Sequence, residues 1–170
     1  MIRQPRMTAG DLTDLTRVIG RLGSVTLIVD VEPLVAPWNE KQQSFTEGAR
    51  LLLATVKTVP TVSIVVFATN SRRTRPNPEP IAGISVVVLV HAAKPFRTRY
   101  MRGLPRPIAV VGDQLLTDGI LAWRLGSPFI EWEHREPTPW WPRAQMRLGR
   151  RLAPLFFRPP IERWKNDVPK

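Results

Sequence analysis

Five short runs rich in Val and Ile, each bounded by turn residues, constrain this chain more than anything else in it: Ser24 to Val29, Val62 to Phe67, Ile84 to Val90, Ile108 to Val111, and Pro128 to Trp132. Runs of this length and composition read as strands. They are apolar continuously rather than alternately, as strands covered on both faces are, and several are separated by stretches of helical character. The pattern predicts an α/β domain with a parallel sheet of about five strands.

Between the first two runs, Gln43 to Thr58 carries Phe45, Ala49, Leu52, Leu53 and Val56 at helical spacing, and Pro60 ends it. Thr117 to Leu125 is expected to be a helix with Asp118 in its first turn, closed by Gly126 in the left-handed conformation that glycine tolerates. Ser71 to Pro80 contains Pro76, Pro78 and Pro80, which remove backbone donors and fix φ, so a loop is expected there. From Arg135 the composition changes. Pro137, Pro139, Trp140, Trp141 and Pro142 form a stiff connector, and residues 143–158 set Met146, Leu148, Leu152, Leu155 and Phe156 among arginines. This reads as a basic amphipathic tail, 135–170, appended to a domain over 12–134. Its apolar side packs on the domain, or it makes peripheral contact with a membrane through 143–158.

The chain has no cysteine, which excludes a disulfide framework, a thiolate metal site and a thiol nucleophile, and leaves carboxylates, hydroxyls, Lys and His for any catalysis. Met1 to Gly10 is polar and basic with no signal-peptide core, and no apolar run is long enough for a transmembrane segment, so a cytoplasmic protein is expected, at most peripheral at the inner face of the membrane. The net charge of +11 attracts phosphate-bearing partners: a phosphorylated small molecule, a lipid head group or nucleic acid, the last less favoured. Arg-rich, Pro-rich composition also arises from genome composition alone.

In a parallel α/β sheet, ligands sit beyond the carboxyl ends of the strands. The first run leads into Asp30-Val31-Glu32, the second into Thr69-Asn70, the third toward Lys94-Pro95, and the fourth into Gly112-Asp113-Gln114-Leu115-Leu116-Thr117-Asp118. One rim thus gathers carboxylates, a hydroxyl and an ammonium. That set suits phosphoryl transfer, in which a carboxylate attacks phosphorus while Mg²⁺ and a Lys offset charge on the transferring oxygens. Each residue also has a plain structural reading: Asp30 and Asp113 as loop caps, Thr69 and Asn70 in a turn, Asp118 at a helix N-terminus. His91 reads as a strand-end residue and His134 as surface, since neither has a ligand-spaced partner.

Taken in this order, the four segments resemble the motifs of haloacid dehalogenase-like (HAD-like) hydrolases, and more narrowly subfamily IIIA, of the YqeG and phosphatidylglycerophosphatase type. Gly112 to Asp118 is the most specific match, supported by Lys94-Pro95 and by Pro37-Trp38-Asn39-Glu40, and the resemblance covers about Leu12 to Glu133. It implies a three-layer Rossmann-like HAD fold with no large cap domain. It further implies a Mg²⁺-dependent phosphatase that forms an aspartyl-phosphate on Asp30, with Glu32 at the acid/base position and Thr69, Asn70 and Lys94 binding the phosphoryl group. Asp30, Asp113 and Asp118 would then serve the metal, Gln114 would help position its loop, and phosphatidylglycerophosphate becomes a candidate substrate.

The first motif departs from the family pattern. Glu32 places its carboxyl a methylene further out than the usual Asp, Pro33 lacks a backbone donor, and the usual Thr is missing. Two functions therefore stand side by side: a phosphoric monoester hydrolase, and a catalytically weakened or inactive HAD-like protein that binds anionic lipid or RNA.

Overall fold

The computed structural model describes residues 3–38, 42–71, 75–79, 81–133 and 140–159. Six strands run through it: β1 (Arg6–Ala9), β2 (Thr26–Asp30), β3 (Ile64–Ala68), β4 (Ser85–Leu89), β5 (Ile108–Gly112) and β6 (Phe129–Trp132). The helices are α1 (Leu12–Leu22), α2 (Gln42–Val56), α3 (Arg99–Arg102), α4 (Ile120–Leu125) and α5 (Trp140–Phe156), and a π-helical turn over Leu115–Gly119 leads into α4. Every strand pairing is parallel, in the order β1-β6-β5-β2-β3-β4.

The expected α/β class and parallel sheet are present, with six strands rather than five. The extra strand, β1, buries only Met7 and Ala9 and turns Arg6 and Thr8 toward half-exposed positions, so no apolar run marks it. It pairs with β6 at the sheet edge. Helix α1, which follows it, is capped by the Asp11 carboxylate accepting from the Asp14 amide and closed by Gly23 at φ 57°. Its buried face is Leu15, Val18 and Ile19. No large cap domain interrupts the described connections.

The continuous apolar runs have the anticipated cause: β2 and β5 are buried at every position because both sheet faces are covered. Leu27, Val29, Val65, Phe67, Val111 and Ile130 point to one core, shared with α1 and α2. Ile28, Val66, Val110 and Phe129 point to the other, shared with α3, α4 and α5. The result is a three-layer, Rossmann-like sandwich. In α2 the five residues at helical spacing are all buried, and Phe45 meets Phe67 edge to face at 5.6 Å. Gly48 lets α2 approach the β2 loop, since a Cβ there would lie 1.9 Å from the Val35 carbonyl oxygen.

Helix α5 packs on the domain through a stripe that includes Gly149 and Ala153 and continues to Phe157. A Cβ at Gly149 would sit 2.9 Å from Leu115, and Phe157 lies beside Phe129. Backbone bonds tie Gln4 to Phe156 and Arg158, and buried Glu131 pairs with Arg6 and, at 3.6 Å, with Arg150. Trp140, Trp141 and Pro142, expected in a connector, form the first turn of this helix, where a proline costs no backbone bond. Residues 134–139 and 160–170 lie outside the described residues, and with them His134, Pro137 and Pro139. No helix among the described residues is long and apolar enough to cross a membrane.

Candidate active site

After β2 the chain goes outward to β3 and β4, then returns to β5 on the other side of β2. The connection after β2 carries α2 on one face and that after β5 carries α4 on the other, so the loops leaving these neighbouring strands part and open a crevice. Asp30 closes β2, and Asp113 follows directly on β5. The parallel pairing of β2 with β5 therefore brings two carboxylates to one rim.

Lys94 joins them. Its Nζ lies 2.7 Å from Asp30 Oδ1 and 2.7 Å from Asp118 Oδ1, with all three side chains buried. The loop presenting Lys94 is held by Asn70, whose Nδ2 donates to the Lys94 carbonyl at 3.0 Å and whose Oδ1 accepts from the Lys94 amide at 2.7 Å. Two non-glycine residues of this loop, His91 (φ 52°) and Ala93 (φ 48°), take left-handed backbone, a local strain that clusters at functional sites. His91 is exposed just past β4.

Asp118 reaches Lys94 because the expected helix from Thr117 opens instead as the π-helical turn over 115–119. The amides of Thr117, Asp118 and Gly119 all converge on the Gln114 carbonyl, which widens the turn and aims the Asp118 carboxylate back over β5. Glycine is needed beneath it, since a Cβ at Gly112 would lie 2.4 Å from that carboxylate. Gly126 at φ 66° closes α4 as expected.

Asp30, Asp113 and Asp118 each bring an oxygen within 4.8 Å of the other two. Three buried carboxylates are thus grouped around one ammonium, and the electrostatics reflect the imbalance. Burial first, and the Asp118 charge second, push Asp30 well above the usual carboxylate range. Burial and then Asp118 push Asp113 to about 8. Burial opposes the charge on Lys94, but Asp118 and Asp30 outweigh it and raise the Lys94 pKa. A divalent cation relieves such crowding better than protons do. An all-oxygen carboxylate set fits a hard ion such as Mg²⁺, and these three residues would hold it.

The cavity beside the cluster, about 420 Å³, is lined among others by Asp30, Glu32, Trp38, Thr69, Lys94 and Gln145 of α5. Glu32 is held at both oxygens: Thr69 Oγ1 donates to Oε2 at 2.7 Å and Arg75 donates to Oε1 at 2.7 Å. The Arg75 guanidinium is buried and lies 5.4 Å from the Phe45 ring centroid. The structure brings the residues expected at the site together, Gln114 in the cavity lining among them, with Thr69 bonded to Glu32 and Asn70 to the Lys94 loop. Arg75 and Gln145 were not anticipated. One sits in a proline-rich loop and the other in the tail, and no local pattern marks either. Asn39 and Glu40 lie outside the described residues. No protein-family model matches this chain, and no curated protein or solved structure shows significant similarity to it.

Proposed function

We propose that the chain is a Mg²⁺-dependent phosphatase that hydrolyses a phosphomonoester through an aspartyl-phosphate on Asp30, as its resemblance to HAD-like hydrolases of subfamily IIIA also implies. One observation carries the reading: Lys94 bridges Asp30 and Asp118 at the mouth of a cavity, with Asp113 completing the carboxylate cluster. A buried carboxylate fixed by an ammonium is a positioned nucleophile, and the same ammonium offsets charge on the phosphoryl oxygens as they approach. Bound Mg²⁺ supplies further charge neutralisation for those oxygens. Asn70 keeps the Lys94 loop in register, and Glu32 and Thr69 line the entrance.

Purified protein is expected to release phosphate from an aryl phosphate with Mg²⁺, to lose that activity in EDTA, and to lose it in Asp30→Asn. Equal turnover by Asp30→Asn removes the nucleophile.

A membrane setting is favoured by the outward face of α5. Opposite its buried stripe, Trp140, Leu148 and Leu155 are exposed, flanked by Arg143, Arg147 and Arg151. Basic residues around projecting aliphatic and Trp side chains suit an anionic lipid surface better than nucleic acid, which has no hydrocarbon to receive them. The enzyme would then be cytoplasmic and peripheral at the inner membrane face. Sedimentation with anionic vesicles, lost in Leu148→Glu and unaffected by competing RNA, checks this.

A further inference from the structure

The segment that carries Lys94 continues through Pro95, Phe96 and Arg97 into α3, and its outer side is apolar and basic at once. Phe96 is 75% exposed and Tyr100 54%, and with Val90 they border a cavity of about 970 Å³ whose lining includes Leu89, Ala92 and Met101. Apolar surface gathered in this way marks a place where something else binds. Arg97, Arg99 and Arg102 are exposed around it. No carboxylate lines the cavity, and among the described residues none of the three arginines is ion-paired. The partner that fits is therefore anionic and has hydrocarbon to offer.

This patch is continuous in the fold with the outward face of α5. Met101 of α3 shares a core with Ala153 of α5 and with Phe157 just beyond it, so the two helices cover the same face of the sheet and turn their exposed side chains the same way. Both also reach the reaction cavity. Lys94, two residues before Phe96, lines it, and so does Gln145, five residues after Trp140. The loop that presents Phe96 is anchored: the His91 amide donates to the Ser71 carbonyl at 3.3 Å and the Ala92 amide to the Thr69 carbonyl at 2.9 Å. A contact made by a fixed loop costs little ordering. Single-stranded RNA would also take arginines and stack on Phe96 and Tyr100, but it would leave Val90 and the aliphatic lining without a partner. A bilayer surface accepts all of them, with Tyr at the head groups and Phe and Val below.

We infer that the segment from Val90 to Arg102 is a second contact with an anionic membrane, inserting Phe96 and Tyr100 while Arg97, Arg99 and Arg102 meet lipid phosphates. Two contacts on one rigid layer fix the orientation of the protein, where α5 alone would leave it free to roll about the helix axis. The reaction cavity, lined by Lys94 from one segment and Gln145 from the other, then opens at the level of the head groups. The inference rests on the membrane setting given to α5 above and does not depend on the hydrolase chemistry. Because the two contacts act together, loss of either weakens the whole attachment.

The absence of cysteine allows a single introduced thiol to carry an environment-sensitive nitrobenzoxadiazole probe. Tyr100→Cys reports on α3, Leu148→Cys on α5, and Leu51→Cys on the exposed side of α2, which covers the opposite face of the sheet. Each full-length labelled protein is mixed with vesicles of phosphatidylcholine and phosphatidylglycerol, with and without nitroxide-labelled acyl chains. Probes at 100 and 148 are expected to shift to the blue and to be quenched by the nitroxide, and the probe at 51 to do neither. In the Leu148→Cys protein, Phe96→Glu is expected to weaken partitioning about tenfold or more, and Arg99→Gln and Arg102→Gln about fivefold each, with unchanged circular dichroism. Quenching at 148 without quenching at 100, or partitioning unaffected by Phe96→Glu, overturns the inference and leaves the α5 contact standing. Quenching at neither position overturns the membrane setting itself. A probe at 100 that answers to single-stranded RNA, or to protein concentration alone, and not to vesicles, overturns the inference in favour of RNA or of a second copy of the chain.

Discussion

Asp113 ties the stability of the metal-free protein to pH in a direction opposite to that of an ordinary ion-paired carboxylate. Burial, and then the Asp118 charge, raise it from 3.8 to about 8. Between those values the native state holds a proton that the unfolded chain has released, so stability is fully present below about pH 4 and is lost as pH climbs through 8. One proton corresponds to about 1.4 kcal/mol per pH unit, so Asp113 alone removes about 2.7 kcal/mol from pH 5.5 to 7.5, or about 5–10 °C in Tm for a chain of this size. Asp30, also raised, pulls the same way, and Asp118, Lys94 and Glu131 are the other charges acting on Asp113. Asparagine does not titrate, so the wild type minus Asp113→Asn difference isolates the effect. Thermal unfolding in EDTA across this range is expected to show that difference shrinking or changing sign in favour of the mutant as pH rises, while Mg²⁺ stabilises the wild type increasingly. A wild-type advantage in EDTA that is flat or grows with pH would refute the argument.

Three substitutions probe the geometry. Lys94→Met removes the ammonium and leaves Asp30 and Asp118 buried together; breaking a buried pair in this way typically costs about 3–5 kcal/mol, to be read by urea unfolding in EDTA, with added Mg²⁺ recovering part of it. Gly112→Ala places a methyl 2.4 Å from the Asp118 carboxylate. A displacement near 1 Å at a reacting centre costs about a hundredfold, so phosphatase activity is expected to fall by about that much while the fold persists by circular dichroism. Gly48→Ala puts a methyl 1.9 Å from the Val35 carbonyl and is expected to destabilise by about 1–3 kcal/mol, seen as a lower urea midpoint.

The central sheet was readable because parallel strands buried on both faces carry uninterrupted apolar runs, as β2, β3 and β5 do. The same rule hides edge strands. β1 is four residues long, alternates Met7 and Ala9 with Arg6 and Thr8, and resembles a polar leader until β6 pairs with it. Helix α1 left a fainter trace in Asp11 and Gly23, its two caps. At the site, position after a strand run was enough to select Asp30, Lys94 and Asp113, since in a parallel sheet every strand delivers its C-terminal end to the same edge. The π-helical turn that swings Asp118 onto Lys94 has no periodicity that separates it from an ordinary helix start; it shows only in three amides sharing the Gln114 carbonyl and in the space left by Gly112. Arg75 is the sharpest case. Forty-three residues separate it from Glu32, and only the folded loop places one on the other.

Diffraction from crystals grown with Mg²⁺ and beryllofluoride tests the account where it is most exposed. The expected result is a beryllium bonded to a carboxylate oxygen of Asp30, Lys94 beside the fluorides, and a metal ion held by Asp30 and Asp113 with Asp118 supporting it. A bare Asp30, or a metal ion bound elsewhere with Asp113 facing away from it, would contradict the account.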